Sequence, residues 1–101
     1  MIDRFEWYYD ALSGMAPPIH EGEPQCGYFK VRDRRGLNRH LAPIKRPWIG
    51  AAIWWDDEIG YRALIAKDEV PIDHAWPWVA KYPIQYEAYR YWWDNERWEK
   101  Q

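Results

Sequence analysis

Residues 48–55 constrain the fold of this chain more than any other stretch, because these eight residues include no charged side chain. Side chains of a strand alternate between its two faces. Here one face carries Trp48, Ala52 and Trp54, and the other carries Ile49, Ala51, Ile53 and Trp55. A strand that is apolar on both faces is typical of the interior of a sheet, so we interpret residues 48–55 as the central strand.

Two further segments have the pattern of strands. Residues 27–34 alternate, with Phe29 and Val31 facing inward and basic residues facing outward, which predicts a half-buried strand. Residues 61–67 follow an acidic turn and are expected to return antiparallel as a hairpin. Residues 41–45 form either a short edge strand or a loop, because the prolines within and after this segment remove backbone donors.

Three segments have the pattern of helices. In residues 3–12 the helical spacing places on one apolar face the side chains of Phe5, Tyr8, Tyr9 and Leu12. Trp7 falls instead on the charged face, where either the following loop or a partner covers it. Asp73 is positioned to cap a short helix over residues 74–81, and residues 84–99 are predicted to form the longest helix.

The order of these elements predicts a single α+β domain over residues 1–101. An N-terminal helix precedes a three- to four-stranded antiparallel sheet, which is followed by a short helix and a long C-terminal helix. The helices are expected to pack on one face of the sheet. With 48% apolar residues, the chain is able to bury a core without a metal or a disulfide.

The final helix carries more aromatic surface than its own sheet is expected to cover. At about 100° per residue its side chains form two arcs. The sheet-facing arc is predicted to hold Ile84, Ala88, Tyr91, Trp92 and Trp98, and the second arc holds Tyr86, Tyr89 and Trp93. Either the first helix packs on the second arc, or that arc is exposed and binds a partner. The candidate partner-binding residues are therefore Tyr86, Tyr89, Trp93 and Trp7.

A local excess of positive charge lies in the hairpin at residues 28–46. Seven of the 14 Lys and Arg residues stand between Lys30 and Arg46, against the single acid Asp33. The candidate basic patch comprises Tyr28, Lys30, Arg32, Arg34, Arg35, Arg39, Lys45 and Arg46. Such a patch binds nucleic acid through phosphate contacts and base stacking, docks on an acidic protein surface, or is a solvated strand edge.

No catalytic or metal-binding signature accompanies these surfaces. Only His20, with Glu21, Glu23 and Cys26 nearby, marks a place where metal ligands or a Cys–His pair would gather. Loop residues of these types are usually solvated, so we expect no enzyme activity, no cofactor and no metal. The acidic run at residues 56–58 lacks the spacing of a calcium loop and is interpreted as a solvated turn.

The net charge of -2 argues against a protein held to nucleic acid or membrane by bulk charge. The single cysteine allows no intramolecular disulfide and requires no oxidising compartment. The sequence has neither the pattern of a signal peptide nor an apolar run of membrane-spanning length. We therefore expect a soluble, cytoplasmic protein without a membrane partner.

Three segments carry a further pattern: Phe5-Glu6-Trp7-Tyr8-Tyr9, then Pro24-Gln25-Cys26-Gly27-Tyr28-Phe29-Lys30-Val31-Arg32, and then Trp76-Pro77-Trp78 followed by Pro83-Ile84 and Tyr89. Together they resemble small proteins encoded by tailed bacteriophages and prophages. In those proteins a Pro-x-x-Gly-Tyr-(Tyr/Phe)-x-x-Arg strand precedes a Trp-bearing strand and a Pro-Ile-x-x-x-x-Tyr helix. The chain departs from that pattern at residues 37–46, which stand between the first two strands. The resemblance implies no particular activity and no catalytic residue.

Taken with that resemblance, the two surfaces predict a non-enzymatic accessory protein that binds a host or phage protein. Inhibition of a host defence (anti-CRISPR-like) or of a nucleic-acid-processing complex fits such a protein in the cytoplasm of a bacterial host. The alternative is a small nucleic-acid-binding module that uses the basic hairpin at residues 28–46. Homodimerisation through the final helix is compatible with either function.

Overall fold

A computed structural model describes residues 3–99, and its centre is an antiparallel sheet of four strands in the order β1-β2-β3-β4. The strands are β1 (Gly27–Arg32), β2 (Trp48–Asp56), β3 (Gly60–Ile65) and β4 (Asp68–Val70). The α+β class, the antiparallel sheet and the C-terminal helix are confirmed. β4 has no counterpart among the predicted strands, because three residues are too few to show a periodic pattern.

The register of the sheet sorts its side chains onto two faces. Phe29 of β1 pairs with Ala51 of β2, and these residues define the first face. Tyr28 pairs with Ala52, and these define the second face. β2 lies between β1 and β3 and has five consecutive buried residues, so its prediction as the central strand is confirmed.

The first face is covered by α2 (Ile72–Val79), and α1 (Glu6–Leu12) adds the ring of Trp7 beside Phe29 and Trp76. From α2, Ala75, Trp76 and Val79 enter the core that Phe29 and the first face of β2 and β3 complete. The Nε1–H of Trp76 donates to the carbonyl oxygen of His20 at 2.8 Å, which satisfies the one polar atom of this buried ring. α2 starts after Pro71 without a side-chain cap, so the predicted cap at Asp73 is wrong and Asp73 lies in the first turn.

The segment 82–84 runs along the outer edge of β1 and carries the chain from the first face to the second. The N–H of Lys30 donates to the carbonyl oxygen of Tyr82 at 3.0 Å, and the N–H of Ile84 donates to that of Tyr28 at 2.9 Å. The hydroxyl of Tyr8 on α1 donates to the carbonyl oxygen of Ile84. These bonds pair the edge of β1 at Tyr28 and Lys30 and fasten the N-terminal helix to the crossing segment.

The last helix, α3 (Tyr86–Asn95), packs on the second face over β1 and β2. The helices therefore divide between the two faces, which corrects the prediction that they share one. The physical reason is that β2 is apolar on both faces, and each apolar face needs a cover. α3 ends where Glu96 adopts a left-handed conformation with φ of 55°, so Ile84 and Trp98 of the predicted sheet-facing arc lie outside the helix.

The chain between β1 and β2 is a structured loop at residues 33–47, which we call the basic loop. It contains two short 3-10 helices, Gly36–His40 and Pro43–Lys45, so residues 41–45 form a loop rather than a strand. Within residues 3–99 the longest helix has 10 residues, and none has the length and apolar character that a bilayer span requires.

Candidate functional site

Tyr89 and Trp92 are the buried side chains of α3, and both pack over Gly50 of β2. Tyr89 is only 7% exposed, so its predicted place on an exposed binding arc is wrong. Trp92 belongs to the predicted sheet-facing arc and Tyr89 to the second arc. The side of the helix that meets the sheet therefore lies between the two predicted arcs. Tyr89 is therefore part of the floor beneath a surface rather than its contact point.

Two cavities adjoin along α3 and form what we call the aromatic groove. The first, about 420 Å³, lies between α1 and α3 and is lined chiefly by Phe5, Tyr9, Leu12, Tyr28, Tyr86 and Glu87. The second, about 280 Å³, lies between α3 and the second face of the sheet and is lined chiefly by Tyr28, Trp54, Leu64, Tyr86, Arg90 and Trp93. Tyr28 and Tyr86 line both, and their ring centroids are 4.9 Å apart. This tyrosine pair is a ridge between the two halves of the groove.

The structure brings three of the four predicted partner-binding residues to this groove, with Tyr89 in its floor. Tyr86 is 43% exposed and lies at the ridge, while Trp93 is half-buried at the wall of the second cavity. The ammonium group of Lys67 lies 5.1 Å from the ring centroid of Trp93, a cation–π contact that orients the indole. Both rings are thus held by the fold while part of their surface remains open to solvent.

Trp7, the fourth predicted partner-binding residue, is held by this chain rather than by a partner. Its ring centroid is 5.1 Å from that of Trp76 and 6.4 Å from that of Phe29, both of them core residues. Its Nε1–H donates to the carbonyl oxygen of Pro18 at 2.9 Å. The side of α1 that faces the core therefore carries Trp7 and Tyr8. The helical spacing predicted Tyr9 on that side, but Tyr9 is 56% exposed.

Two tyrosines of the groove, Tyr28 and Tyr89, have raised pKa values. Burial raises the pKa of Tyr28 above its usual value, and the neighbouring Tyr86 is the next largest cause. Burial raises the pKa of Tyr89 to about 12, with Tyr28 as the next cause. The hydroxyls of Tyr28 and Tyr89 therefore keep their protons and carry no phenolate charge at neutral pH.

The aromatic groove combines elements that are distant in sequence. Phe5 and Tyr9 come from α1, Trp54 from the far end of β2, and Leu64 from β3. None of these four is among the predicted site residues. A strand pattern with Trp54 on the same face as Tyr28 is visible in the sequence, but the position of α3 beside them depends on the crossing of segment 82–84.

The basic side chains at the start of the predicted patch lie over an aromatic ring of the same face. The ammonium group of Lys30 is 4.8 Å, and the guanidinium carbon of Arg32 4.1 Å, from the ring centroid of Trp48. The Nη1 of Arg32 also donates to the carbonyl oxygen of Arg46 at 2.8 Å. Trp48 is therefore already stacked by cations of its own chain.

Three other arginines of the patch stabilise the molecule internally. The guanidinium carbon of Arg34 lies 4.1 Å from the ring centroid of Trp78 on α2, away from Lys30 and Arg32. Arg46 donates to the carbonyl oxygens of Leu41 and Arg39, both at 2.9 Å. Arg35 pairs with Asp33 and Asp68. The predicted patch is thus dispersed, and its exposed members on the basic loop are Arg34, Arg39 and Lys45.

Asp33 organises the basic loop, although the sequence shows it only as the lone acid in a basic run. It is 6% exposed and accepts hydrogen bonds from the backbone N–H of Arg35 at 2.9 Å, from its Nε at 3.0 Å and from Nδ2 of Asn38 at 3.1 Å. Burial alone would raise the pKa of Asp33, but these bonds outweigh burial and lower it. Arg35 also pairs with Asp68, which ties the loop to β4.

The cluster of His20, Glu21, Glu23 and Cys26 does not assemble a reactive centre. Cys26 is fully buried, and burial raises the pKa of its thiol to about 11, so it is protonated at neutral pH. His20, Glu21 and Glu23 are exposed on the loop before β1. Across residues 3–99, no three His, Cys, Asp or Glu side chains are grouped to hold a metal ion.

The acidic run at 56–58 forms a turn that its own first residue stabilises. The Oδ1 of Asp56 accepts from the N–H groups of Glu58 at 2.9 Å and Ile59 at 3.1 Å. Its Oδ2 lies 3.4 Å from Nη1 of Arg62. The side chain of Asp56 therefore stabilises the hairpin between β2 and β3.

Comparison of the chain with protein-family models, curated proteins and solved structures gives no match. The geometry of the groove and of the basic loop is therefore the basis for a functional conclusion.

Proposed function

We propose that this chain is a non-enzymatic binding protein that recognises another protein through the aromatic groove. The observation that supports the proposal is the ridge formed by Tyr28 and Tyr86, with a cavity on either side. Tyrosine, tryptophan and arginine dominate the binding energy of protein interfaces, and rigid aromatic rings lose little conformational entropy on binding. Tyr89 and Trp92 beneath the ridge are buried, so the surface is preorganised.

The resemblance to small phage and prophage proteins supplies the biological setting of the proposal. We place the protein among phage accessory proteins whose partner is a host or phage protein. Inhibition of a host defence, in the manner of anti-CRISPR proteins, or of a nucleic-acid-processing complex is the activity that fits a small binding protein of this kind.

Affinity capture from lysate of a bacterial host tests this function. The immobilised protein is expected to retain one partner protein at both low and high salt, because apolar contacts of Tyr86 and Trp93 are little screened by ions. Failure to retain any protein from phage-infected and uninfected cells at every salt concentration contradicts the proposal.

Nucleic-acid binding through residues 28–46 is the second candidate. One observation favours it: the chain has no acidic residue from Arg34 to Trp55, and Arg39 and Lys45 are exposed within that stretch. Phosphate contacts release counterions, so binding to DNA or RNA has to weaken steeply with salt.

Fluorescence anisotropy with labelled single-stranded DNA and RNA decides between the two candidates. The protein-binding function predicts weak association that the Arg39→Ala change scarcely alters. Tight association with a steep salt dependence, lost in Arg39→Ala, would establish the second candidate instead.

A further inference from the structure

Among the described residues, the strands that form the floor of the aromatic groove have their backbone groups paired. β1 is paired with β2 on one side and with segment 82–84 on the other, and β2 is paired with β3 over residues 51–56. A strand from a partner therefore has no sheet edge to join at this place. Recognition in the groove has to rely on side chains.

Several hydrogen-bond donors along the groove have no acceptor within the described residues. Within residues 3–99, the hydroxyls of Tyr9 and Tyr28 and the Nε1–H groups of Trp54 and Trp93 donate to no protein atom. Indole N–H groups only donate, and the aromatic faces beside them are apolar. A ligand that complements these donors presents apolar surface and carbonyl oxygens.

A proline-rich segment has this chemistry. Proline has no backbone N–H, and in the polyproline II conformation its carbonyl oxygens point outward without internal hydrogen bonds. The chain itself contains one such pairing, since the indole N–H of Trp7 donates to the carbonyl oxygen of Pro18 at 2.9 Å. Aromatic grooves with indole and phenol donors are a recurrent way of binding such segments.

The shape of the groove also suits this conformation better than a helix. The Tyr28–Tyr86 ridge separates cavities of about 420 Å³ and 280 Å³, so apolar groups have to enter on both sides of it. A polyproline II segment repeats every three residues and can place prolines on either side of a ridge. A helix presents a continuous apolar stripe, which a ridge would interrupt.

Charge at the two ends of the groove differs. Glu87 lines the end beside α1 and forms no ion pair within residues 3–99. At the other end, Arg90 is paired with Asp94, with Nε and Oδ2 3.1 Å apart. A ligand with a basic residue at the Glu87 end therefore complements the groove.

We propose that the aromatic groove binds a proline-rich segment of a partner protein in the polyproline II conformation, with a flanking basic residue beside Glu87. This inference rests on the proposed protein-binding function and names the chemistry of its ligand.

The test is a titration of the full chain with decaproline that carries Arg at both ends, followed by NMR of the indole N–H groups. The signals of Trp54 and Trp93 are expected to move, while that of the buried Trp76 stays in place and reports that the fold is intact. Tyr86→Ala is expected to weaken binding about tenfold. Tyr82→Ala is the matched control, because Tyr82 is 45% exposed, close to the 43% of Tyr86, but packs on Trp48 outside the groove.

The charged ends of the probe test the position of Glu87. Decaproline with Glu at both ends is expected to bind about threefold more weakly than the Arg form. The Glu87→Gln change should remove most of this difference. Equal affinity of the two peptides for the unaltered protein overturns the charge assignment.

Absence of shifts at about 1 mM peptide, or equal affinity in Tyr86→Ala, overturns the inference. Shifts of Trp54 and Trp93 with an amphipathic helical peptide but not with decaproline overturn it in favour of a helical ligand. These failures are distinguishable from failure of the protein-binding function. If decaproline fails while Tyr86→Ala still abolishes capture of a partner protein, only the ligand class is wrong.

Discussion

Gly50 of β2 lies directly beneath the indole ring of Trp92 on α3. A Cβ atom at position 50 would stand 2.7 Å from Cε3 of Trp92 and 3.2 Å from Cδ1 of Tyr89. The absence of a side chain at this one position lets α3 approach the second face of the sheet closely enough to bury both aromatic rings. The floor of the aromatic groove depends on this contact.

The Gly50→Ala change is therefore expected to destabilise the protein. Both neighbouring rings are buried and have little freedom to move, so the added methyl group overpacks the interface and lowers the free energy of unfolding by about 1–3 kcal/mol. Urea denaturation followed by tryptophan fluorescence measures the change. Gly22→Ala is the control, because a Cβ atom there meets nothing within 4 Å, and its effect should stay within about 0.5 kcal/mol. Equal stability of the two variants would show that α3 does not pack this closely.

The Asp33→Asn change is expected to loosen the basic loop and to destabilise the protein at neutral pH. It removes a buried carboxylate that accepts from Arg35 and Asn38, at a cost of about 1–3 kcal/mol. Glu21→Gln makes the same change of charge on an exposed loop residue and should be close to neutral.

The destabilisation by Asp33→Asn should also depend on pH. Burial opposes ionisation of Asp33, but its hydrogen bonds lower the pKa in the folded state. The carboxylate therefore stabilises the fold fully above the unfolded-state pKa of about 3.9, and this contribution is lost as the pH falls through the lower folded-state value. Denaturation curves at pH 7 and at successively lower pH should show the two proteins converging. A difference that is constant across this range contradicts the account.

Cys26 is expected to resist thiol reagents in the folded protein. Burial raises its pKa to about 11, so the reactive thiolate at neutral pH is about two orders of magnitude scarcer than for a free cysteine. Reaction with a chromogenic disulfide reagent should be slow in buffer and rapid in guanidinium chloride. Rapid reaction of the folded protein would contradict the burial of Cys26 and restore it as a candidate nucleophile.

The alternation of side chains in the sequence predicts some features of the sheet and not others. Alternation in residues 27–32 and the two apolar faces of residues 48–55 identify β1 and β2 because side-chain direction in a strand follows from the sequence alone. The same two-faced pattern of β2 calls for helices on both faces of the sheet. The prediction that all helices pack on one face is wrong for this reason. The crossing of the chain at segment 82–84 depends on hydrogen bonds to the edge of β1, which the periodicity of the sequence does not reveal.

The side of α3 that meets the sheet differs from the predicted arc of Ile84, Ala88, Tyr91, Trp92 and Trp98. The charged residues of this helix lie in one wedge, formed by Glu87, Arg90 and Asp94, and all three are exposed. The direction opposite that wedge falls between the two aromatic arcs, where Tyr89 and Trp92 are buried. The position of the charged wedge therefore indicates the buried side of α3 better than the positions of the aromatic residues do.

The candidate site could be predicted only in part. Tyr86 and Trp93 line the groove, but Phe5, Tyr9 and Trp54 reach it from other elements, and tertiary packing rather than spacing places them there. The basic patch was countable in the sequence, whereas the pairing of Arg35 with Asp33 and with the distant Asp68 was not. A count of basic residues in the sequence therefore overstates the number of positive charges that are available to a partner.

The measurement that tests the central claim most directly compares the recovery of a partner protein by the immobilised wild-type, Tyr86→Ala and Tyr82→Ala proteins at equal loading. Tyr86 lies on the ridge of the aromatic groove, and Tyr82 is equally exposed outside it. The wild type and Tyr82→Ala are predicted to retain the same partner, and Tyr86→Ala to retain about tenfold less. Equal recovery by all three proteins, or a loss confined to Tyr82→Ala, would contradict binding through the groove.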